Sequence, residues 1–435
     1  MKEFDIIIIG AGPGGYATAL DARNRGFSTL LIEKEKLGGT CLNCGCIPTK
    51  SYNAIASLIN HAKEASIMGL DINYNLDFKQ ALEYKNNVVN ELIKGIDFML
   101  KKAGVEVIYG NATLVKANIV SVNGEEYYGK YIILATGSRN LAGIIKGDDK
   151  ALNSTDILAL DNVPETLSII GGGVIGVEIA TIFSLFGSKV TIFEAMDSLI
   201  PQADKEIARR LRSYLTKLGV VVNTNAKVLE IKDNSLVYLA KDEEKEESFD
   251  KILMAIGRRP NIENIGLDEI GISYTRRGIS VNDFFETNVP NHFAIGDCNG
   301  KIMLAHYAEF SGKVVLDHIE NKVLLLRDPL CPSAIFTIPE IAMIGLTEEE
   351  LKEKGIEYSV KKTMYRSLGK ALAMNEKEGF IKLLIVNNKI VGCHIIGYDA
   401  STLIHEAMIL MNLNVENTII KDFIYAHPTL SDLFK

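Results

Sequence analysis

Asp5-Ile6-Ile7-Ile8-Ile9-Gly10-Ala11-Gly12-Pro13-Gly14-Gly15 and Leu167-Ser168-Ile169-Ile170-Gly171-Gly172-Gly173-Val174-Ile175-Gly176 are one pattern written twice. In each, a short apolar run reads as a buried strand, and a glycine cluster follows it. A helix comes next, closing near Gly26 in the first copy and Gly187 in the second. A second strand follows, Ser28–Ile32 or Lys189–Phe193, and ends at Glu33 or Glu194. The pairs Gly10/Gly171, Gly12/Gly173, Gly15/Gly176, Gly26/Gly187 and Glu33/Glu194 share a single offset of 161 residues. Two unrelated glycine turns would not keep five registers.

This is the full context of a dinucleotide-binding βαβ unit: strand, glycine turn, helix, second strand and a terminal acid. The first glycine permits the tight turn and the second lets backbone approach a pyrophosphate. The third lets helix and strand pack closely, and the pyrophosphate rests on the positive helix N-terminus. Gly14 adds to the small-residue surface of the first loop. Two copies predict two dinucleotides. The predicted fold class is α/β, with two Rossmann-like domains and an α+β C-terminal domain.

Outward from the repeats, helices are expected over Cys46 to about Leu70 and about Asp77–Ala103, then short strands up to Tyr131–Ala135. Lys241–Glu247, KDEEKEE, reads as a solvated hairpin tip. After about Pro329–Pro332 the pattern changes to strands and two late helices. The expected division is 1–140, 141–262, 263–328 (returning to the first domain) and 329–435.

Composition narrows the function. The net charge of −8 disfavours nucleic acid or an anionic membrane as partner. The Ile6–Ile9 run follows Lys2, Glu3 and Asp5 with no cleavage-like site after it, so it reads as a strand and not a secretory signal. No apolar run is long enough to span a membrane. The cytoplasm is the expected location. The six cysteines are too sparse for a secreted disulfide scaffold. Three of them, Cys41, Cys44 and Cys46, sit within six residues, which suggests chemistry. A pair five apart at a helix start can close a strained, easily reduced disulfide. Metal ligation is the other reading, but no further ligand follows at zinc-like spacing.

Gly38-Gly39-Thr40-Cys41-Leu42-Asn43-Cys44-Gly45-Cys46-Ile47-Pro48-Thr49-Lys50 resembles the active-site signature of the two-cysteine pyridine nucleotide-disulfide oxidoreductases. Further blocks agree in order: Ala135–Ser138, Gly257–Asn261, Ala294–Asp297, Met303–His306, Thr337–Glu340 and His427–Thr429. The resemblance implies FAD on the first fold, with Glu33 on the adenosine ribose and Asp297 on a ribityl hydroxyl. Gly110, Thr136 and Gly137 would be close-approach positions, and a helix opening at Ala305 would face the flavin. It implies NAD on the second fold, with Glu194 on the ribose and Val228 and Gly257 lining it. Cys41–Cys46 would be the redox disulfide, with Lys50 beside the flavin and Glu178 its ionic partner. His427 would be the base, held by Asp432, and would face the redox pair of a second subunit in a homodimer.

Within the family, the pattern resembles the branch that oxidises protein-bound dihydrolipoyl groups. That implies a lipoyl-bearing partner in a 2-oxoacid dehydrogenase or glycine cleavage system. NADP-dependent members carry basic residues after the second strand, whereas this chain reads Glu194-Ala195-Met196-Asp197. Members with extra C-terminal thiols are a weaker fit, because the last cysteine is Cys393. A docking subunit with weak catalysis, or another NAD-linked disulfide reductase, is the alternative. Three positions depart from the family. Cys44 stands where an apolar residue is usual, Asp432 where Glu is usual, and the sequence ends at Lys435 where relatives continue. The expected consequence is a loosely held base, with nothing after Lys435 to anchor the segment.

Overall fold

The computed structural model describes every residue except 323–329. The domain boundary expected at residue 329, and the beginning of the Pro329–Pro332 change of pattern, lie outside the described residues. The chain forms two compact units. One comprises Met1–Ser51, Leu82–Leu141 and Gly257–Leu325; the other comprises Tyr52–Ala81, Ala142–Ile256 and Leu326–Lys435.

The first unit is built on a seven-stranded sheet. Lys2–Ile9 lies between Thr29–Glu33 and Glu125–Leu134, and pairs parallel with both. Ile6, Ile7 and Ile8 are fully buried. Their side chains alternate between two cores, Ile7 with Leu30 and Ile132 on one face, Ile6 and Ile8 with Leu31 and Ile133 on the other. An uninterrupted isoleucine run fits because both faces of this strand are covered. The strand expected at Tyr131–Ala135 is longer, Glu125–Leu134, because its first half pairs with Ile119–Val122. The helix Pro13–Asn24 packs on the helix Ala305–Ile319. Gly14 makes that contact possible, since a Cβ there would lie 3.1 Å from the Ala308 Cβ. The helix expected to reach about Leu70 runs over Cys46–Glu64, with a 3-10 turn to Met68. The one expected over Asp77–Ala103 is Phe78–Ala103.

The second unit repeats the motif on a four-stranded parallel sheet, in the order Val221–Asn223, Lys189–Phe193, Thr166–Ile170, Lys251–Met254. A three-stranded antiparallel sheet follows it in sequence. Here the structure corrects the reading of KDEEKEE. Only Lys241 and Asp242, both at positive φ, make the turn, and Glu243–Ser248 is a strand paired with Ser235–Ala240. All six of its residues are exposed, so the charge run is an edge strand that repels other edges. Beyond residue 330, a five-stranded antiparallel sheet carries the helix Ala400–Asn412 on one face. Its other face holds Lys382, only 2 % exposed, ion-paired with the fully buried Asp204 at 2.9 Å and with Glu348. Asp204 also caps the helix Lys205–Lys217. A buried lysine is tolerable only with such partners, and removing one would strand a charge.

The two glycine turns are built alike. Gly10 and Gly171 have φ of +104° and +105°. A Cβ on Gly15 would lie 1.8 Å from the Gly10 carbonyl oxygen, and one on Gly176 2.0 Å from that of Gly171. The obstacle in each case is backbone, which cannot swing aside. Gly176→Ala should therefore destabilise the chain by about 1–3 kcal/mol or more. Thermal melting should show it, and a Tm equal to that of the parent would contradict the packing account.

Candidate functional site

In each turn the first and third glycines answer to protein packing, but the middle one does not. A Cβ on Gly12 would meet no protein atom other than the Gly39 Cα, at 3.9 Å, and one on Gly173 would meet nothing within 4 Å. Neither helix has a side-chain cap at that end. Bare amides and an absent Cβ at a helix N-terminus leave space and donors for a phosphate. The terminal acids complete the cradle. Glu33 Oε2 accepts from the Ala11 amide at 2.8 Å, and Oε1 accepts from Glu35 at 2.8 Å. Glu194 does the same with Gly172 at 2.6 Å and Met196 at 2.7 Å. Each carboxylate is held rigidly and keeps lone pairs for sugar hydroxyls. The residues present therefore suit a dinucleotide at both turns.

The redox loop rests directly on the first turn. The Gly38 amide donates to the Ala11 carbonyl at 2.8 Å, and a Cβ on Gly39 would lie 2.7 Å from the Gly12 Cα. Cys41 lies in a short helix of its own, Gly39–Cys44, whereas Cys46 opens the long helix. Gly45 separates the two helices. The Asn43 amide group braces the loop, donating to the Leu37 and Gly39 carbonyls at 2.9 Å each. The Cys41 and Cys46 thiols are hydrogen-bonded to one another. That bond, and then burial, push the Cys41 thiol up, while the charge of Lys50 acts in the opposite sense. Cys44 is half-buried at the end of the short helix. Among the described residues, no three His, Cys, Asp or Glu side chains converge as a metal site would require.

The remaining first-fold residues gather at the carboxyl ends of the sheet strands. The Gly110 amide donates to the Glu33 carbonyl at 2.9 Å. Thr136 donates to the Asn261 carbonyl at 2.6 Å, and Gly137 has φ +71°. Asp297 sits in the turn after His292–Ala294, and Ala305 opens its helix. Sequence reasoning quoted Ser138 and Arg258 without giving them a task. Arg258 Nε donates to Ser138 Oγ at 2.8 Å, and Ser138 Oγ donates to Asp297 Oδ2 at 2.5 Å. This relay fixes Asp297 and leaves its other oxygen to accept from a ligand. Tyr16 and Glu309 were also missed. Burial raises the pKa of both, and Glu309 and Cys41 add to the shift at Tyr16.

In the second unit, Val228 is buried in a core with Ile170 and Phe193, so any contact with a ligand would have to come from its main chain. Gly257 belongs to the first compact unit, where its carbonyl accepts from the Leu141 amide. Glu178, 6 % exposed, is no surface residue, and its Oε1 accepts from the Phe336 amide at 2.9 Å. Lys50 belongs to the other unit. The structure brings His427 and Asp432 together, with Nδ1 3.2 Å from Oδ2. Leu433 and Phe434 are fully buried in the core of the five-stranded sheet domain and pin the turn Leu430–Phe434.

Two dinucleotide cradles, with a dithiol seated on one of them, define a class: enzymes that pass electron pairs between a thiol pair and a nucleotide cofactor. Residues 4–312 match the pyridine nucleotide-disulphide oxidoreductase family, and 331–435 match the dimerisation domain of that family. The chain belongs to this family. It is 36 % identical to the dihydrolipoyl dehydrogenase of Chlamydia pneumoniae, covering 100 % of this chain and 96 % of that one. It is 38 % identical to that of Geobacillus stearothermophilus, covering 99 % and 94 %. Among solved structures, the HOCl-induced flavoprotein disulfide reductase RclA from Escherichia coli superposes with a TM-score of 0.89 at 29 % identity, covering 99 % of both chains.

Cys44 is bonded into neither the thiol pair nor a metal cluster. Cys44→Val should leave turnover of a disulfide substrate within a few-fold of the parent, and a collapse in steady-state activity would show that it takes part.

Proposed function

We propose that this chain is an NAD-dependent dihydrolipoyl dehydrogenase, with Cys41 and Cys46 as its redox pair and FAD and NAD as its cofactors. The observation that carries this reading is the seating of the dithiol loop on the first glycine turn, Gly39 against Gly12. A thiol pair anchored there is held beside whatever that turn binds. The relatives covering the whole chain at 36 % to 38 % identity bear the dihydrolipoyl dehydrogenase name.

The chemistry of the protein groups follows. His427, its Nδ1 turned to Asp432, presents Nε2 as a base and takes the proton of a dihydrolipoyl thiol. The thiolate attacks Cys41 Sγ, the Cys41–Cys46 bond breaks, and Cys46 leaves as a thiolate. The second substrate thiol then attacks the mixed disulfide, closing the dithiolane and releasing Cys41. The substrate has lost two electrons and the cysteine pair has gained them. FAD, when bound, supplies a two-electron carrier between this dithiol and NAD+. Lys50, one helical turn beyond Cys46, favours negative charge at the pair.

The enzyme is a homodimer, as the dimerisation domain indicates. Its surface supports this: Ile409, Leu413, Ile419, Phe423 and Ile424 are all exposed, the last of them completely. Exposed apolar side chains in this number are consistent with a covering partner, and they come shortly before His427 in the sequence. We assign the base to the redox pair of the second copy, and the substrate to a lipoyl group carried by a partner protein. No helix among the described residues is long and apolar enough to cross a membrane.

NADH-driven reduction of lipoamide, glutathione disulfide and thioredoxin, run side by side, should favour lipoamide by at least tenfold in kcat/KM. Preference for another disulfide would replace the proposal with a reductase like the structural neighbour. Glu194 would repel a 2′-phosphate, so NADPH should support less than a tenth of the NADH rate. Comparable rates would remove Glu194 from the specificity role.

A further inference from the structure

Asp432 does not serve His427 alone. Its Oδ2 faces His427 Nδ1 at 3.2 Å, and its Oδ1 is ion-paired with Lys435 Nζ. Lys435 is itself placed by two further contacts. Its Nζ lies over the Tyr425 ring, 5.0 Å from the centroid, and its backbone follows the fully buried Leu433 and Phe434. The Phe434 carbonyl accepts from Lys361 Nζ at 3.1 Å. The His427 side chain is 76 % exposed, whereas that of Asp432 is only 17 % exposed. The carboxylate is thus a half-sheltered bridge between an ammonium and an imidazole. Behind it stand Glu406, which accepts from Ser431 Oγ at 2.5 Å, and the Tyr425 hydroxyl. Burial biases both of these toward their neutral forms.

We propose that Lys435 is a positioning residue for the proton-accepting histidine, pinning Asp432 and setting how much of its charge reaches the imidazole. This rests on the reading of His427 as the base. Asp is shorter than the Glu usual at this position, and the distance of 3.2 Å is long for a charge-assisted bond. The Lys435 ammonium on the far oxygen accounts for this, since the carboxylate is drawn between two partners. The low pKa of Asp432, owed first to Lys435 and then to His427, agrees.

Two effects follow from Lys435, and they have the same sign. Its positive charge opposes protonation of the nearby imidazole, and its hold on Oδ1 limits how closely Asp432 approaches Nδ1. Both act against a positive charge on the imidazole. Replacing Lys435 by an uncharged side chain removes both effects, and one partly screened unit charge is worth about half a pH unit in a rate profile.

The test is the pH profile of kcat/KM for dihydrolipoamide oxidation by the FAD-loaded dimer. Rates rise with pH as the base loses its proton. Lys435→Met should move this acid limb upward by about half a pH unit, roughly a threefold loss on the acid side, and Lys435→Arg should restore it. His427→Gln is the reference arm. If His427→Gln abolishes the limb but Lys435→Met leaves it within 0.1 unit, on the order of experimental error, the positioning role is overturned while His427 stands as base. If the limb survives in His427→Gln, the base assignment fails and the role of Lys435 falls with it.

Discussion

The constraint on which the rest depends is the absence of a side chain where Gly15 meets the Gly10 carbonyl. A Cβ at Gly15 would come within 1.8 Å of that oxygen. Because nothing is there, the helix Pro13–Asn24 starts immediately above the carboxyl end of the central strand. Its amides then point to where the strand order changes side, with Thr29–Glu33 on one flank and Glu125–Leu134 on the other. Ligands of open α/β sheets bind at such a point. The duplicated turn at Gly171 and Gly176 reproduces the constraint to within 0.2 Å by the corresponding distances, 1.8 and 2.0 Å.

The redox loop inherits its position from that turn. Gly38 and Gly39 both take positive φ, and this lets the loop lie against Ala11 and Gly12 with no side chain between. The cysteines are then placed by two short rigid segments, one on each side of Gly45. Electrostatics follows geometry: the thiols share a hydrogen bond, and the Lys50 charge acts on them from the same helix that Cys46 opens. A polar relay from Arg258 through Ser138 to Asp297 gives the opposite wall comparable rigidity. Fixed groups of this kind hold a cofactor without reorganising on each turnover.

The segment carrying His427 is held differently. It is held by packing. Leu433 and Phe434 fill the core of the five-stranded sheet domain, and the Asp432 carboxylate is shared between the His427 imidazole and the Lys435 ammonium.

The sequence by itself determined the architecture and most of the site. Gly10, Gly15, Gly171 and Gly176 are dictated by local backbone geometry, and Gly12, Gly173, Glu33 and Glu194 recur at the same spacing, so the pattern alone reveals two dinucleotide folds. The isoleucine run at 6–9 and the cysteine spacing at 41 and 46 are legible for the same reason: the cause lies within a few residues. What only the tertiary structure decided are relations between positions far apart in the chain. Arg258 reaches Ser138 across 120 residues, and Lys382 reaches Asp204 across 178. Neither pairing leaves a periodic trace. KDEEKEE looked like a tip because charge reports exposure and not hydrogen bonding, and an edge strand is exposed while still paired on one side. The sharing of Asp432 between His427 and Lys435 was hidden for a related reason. Residue spacing shows that two groups can meet, but the buried side chains of Leu433 and Phe434 decide where they do.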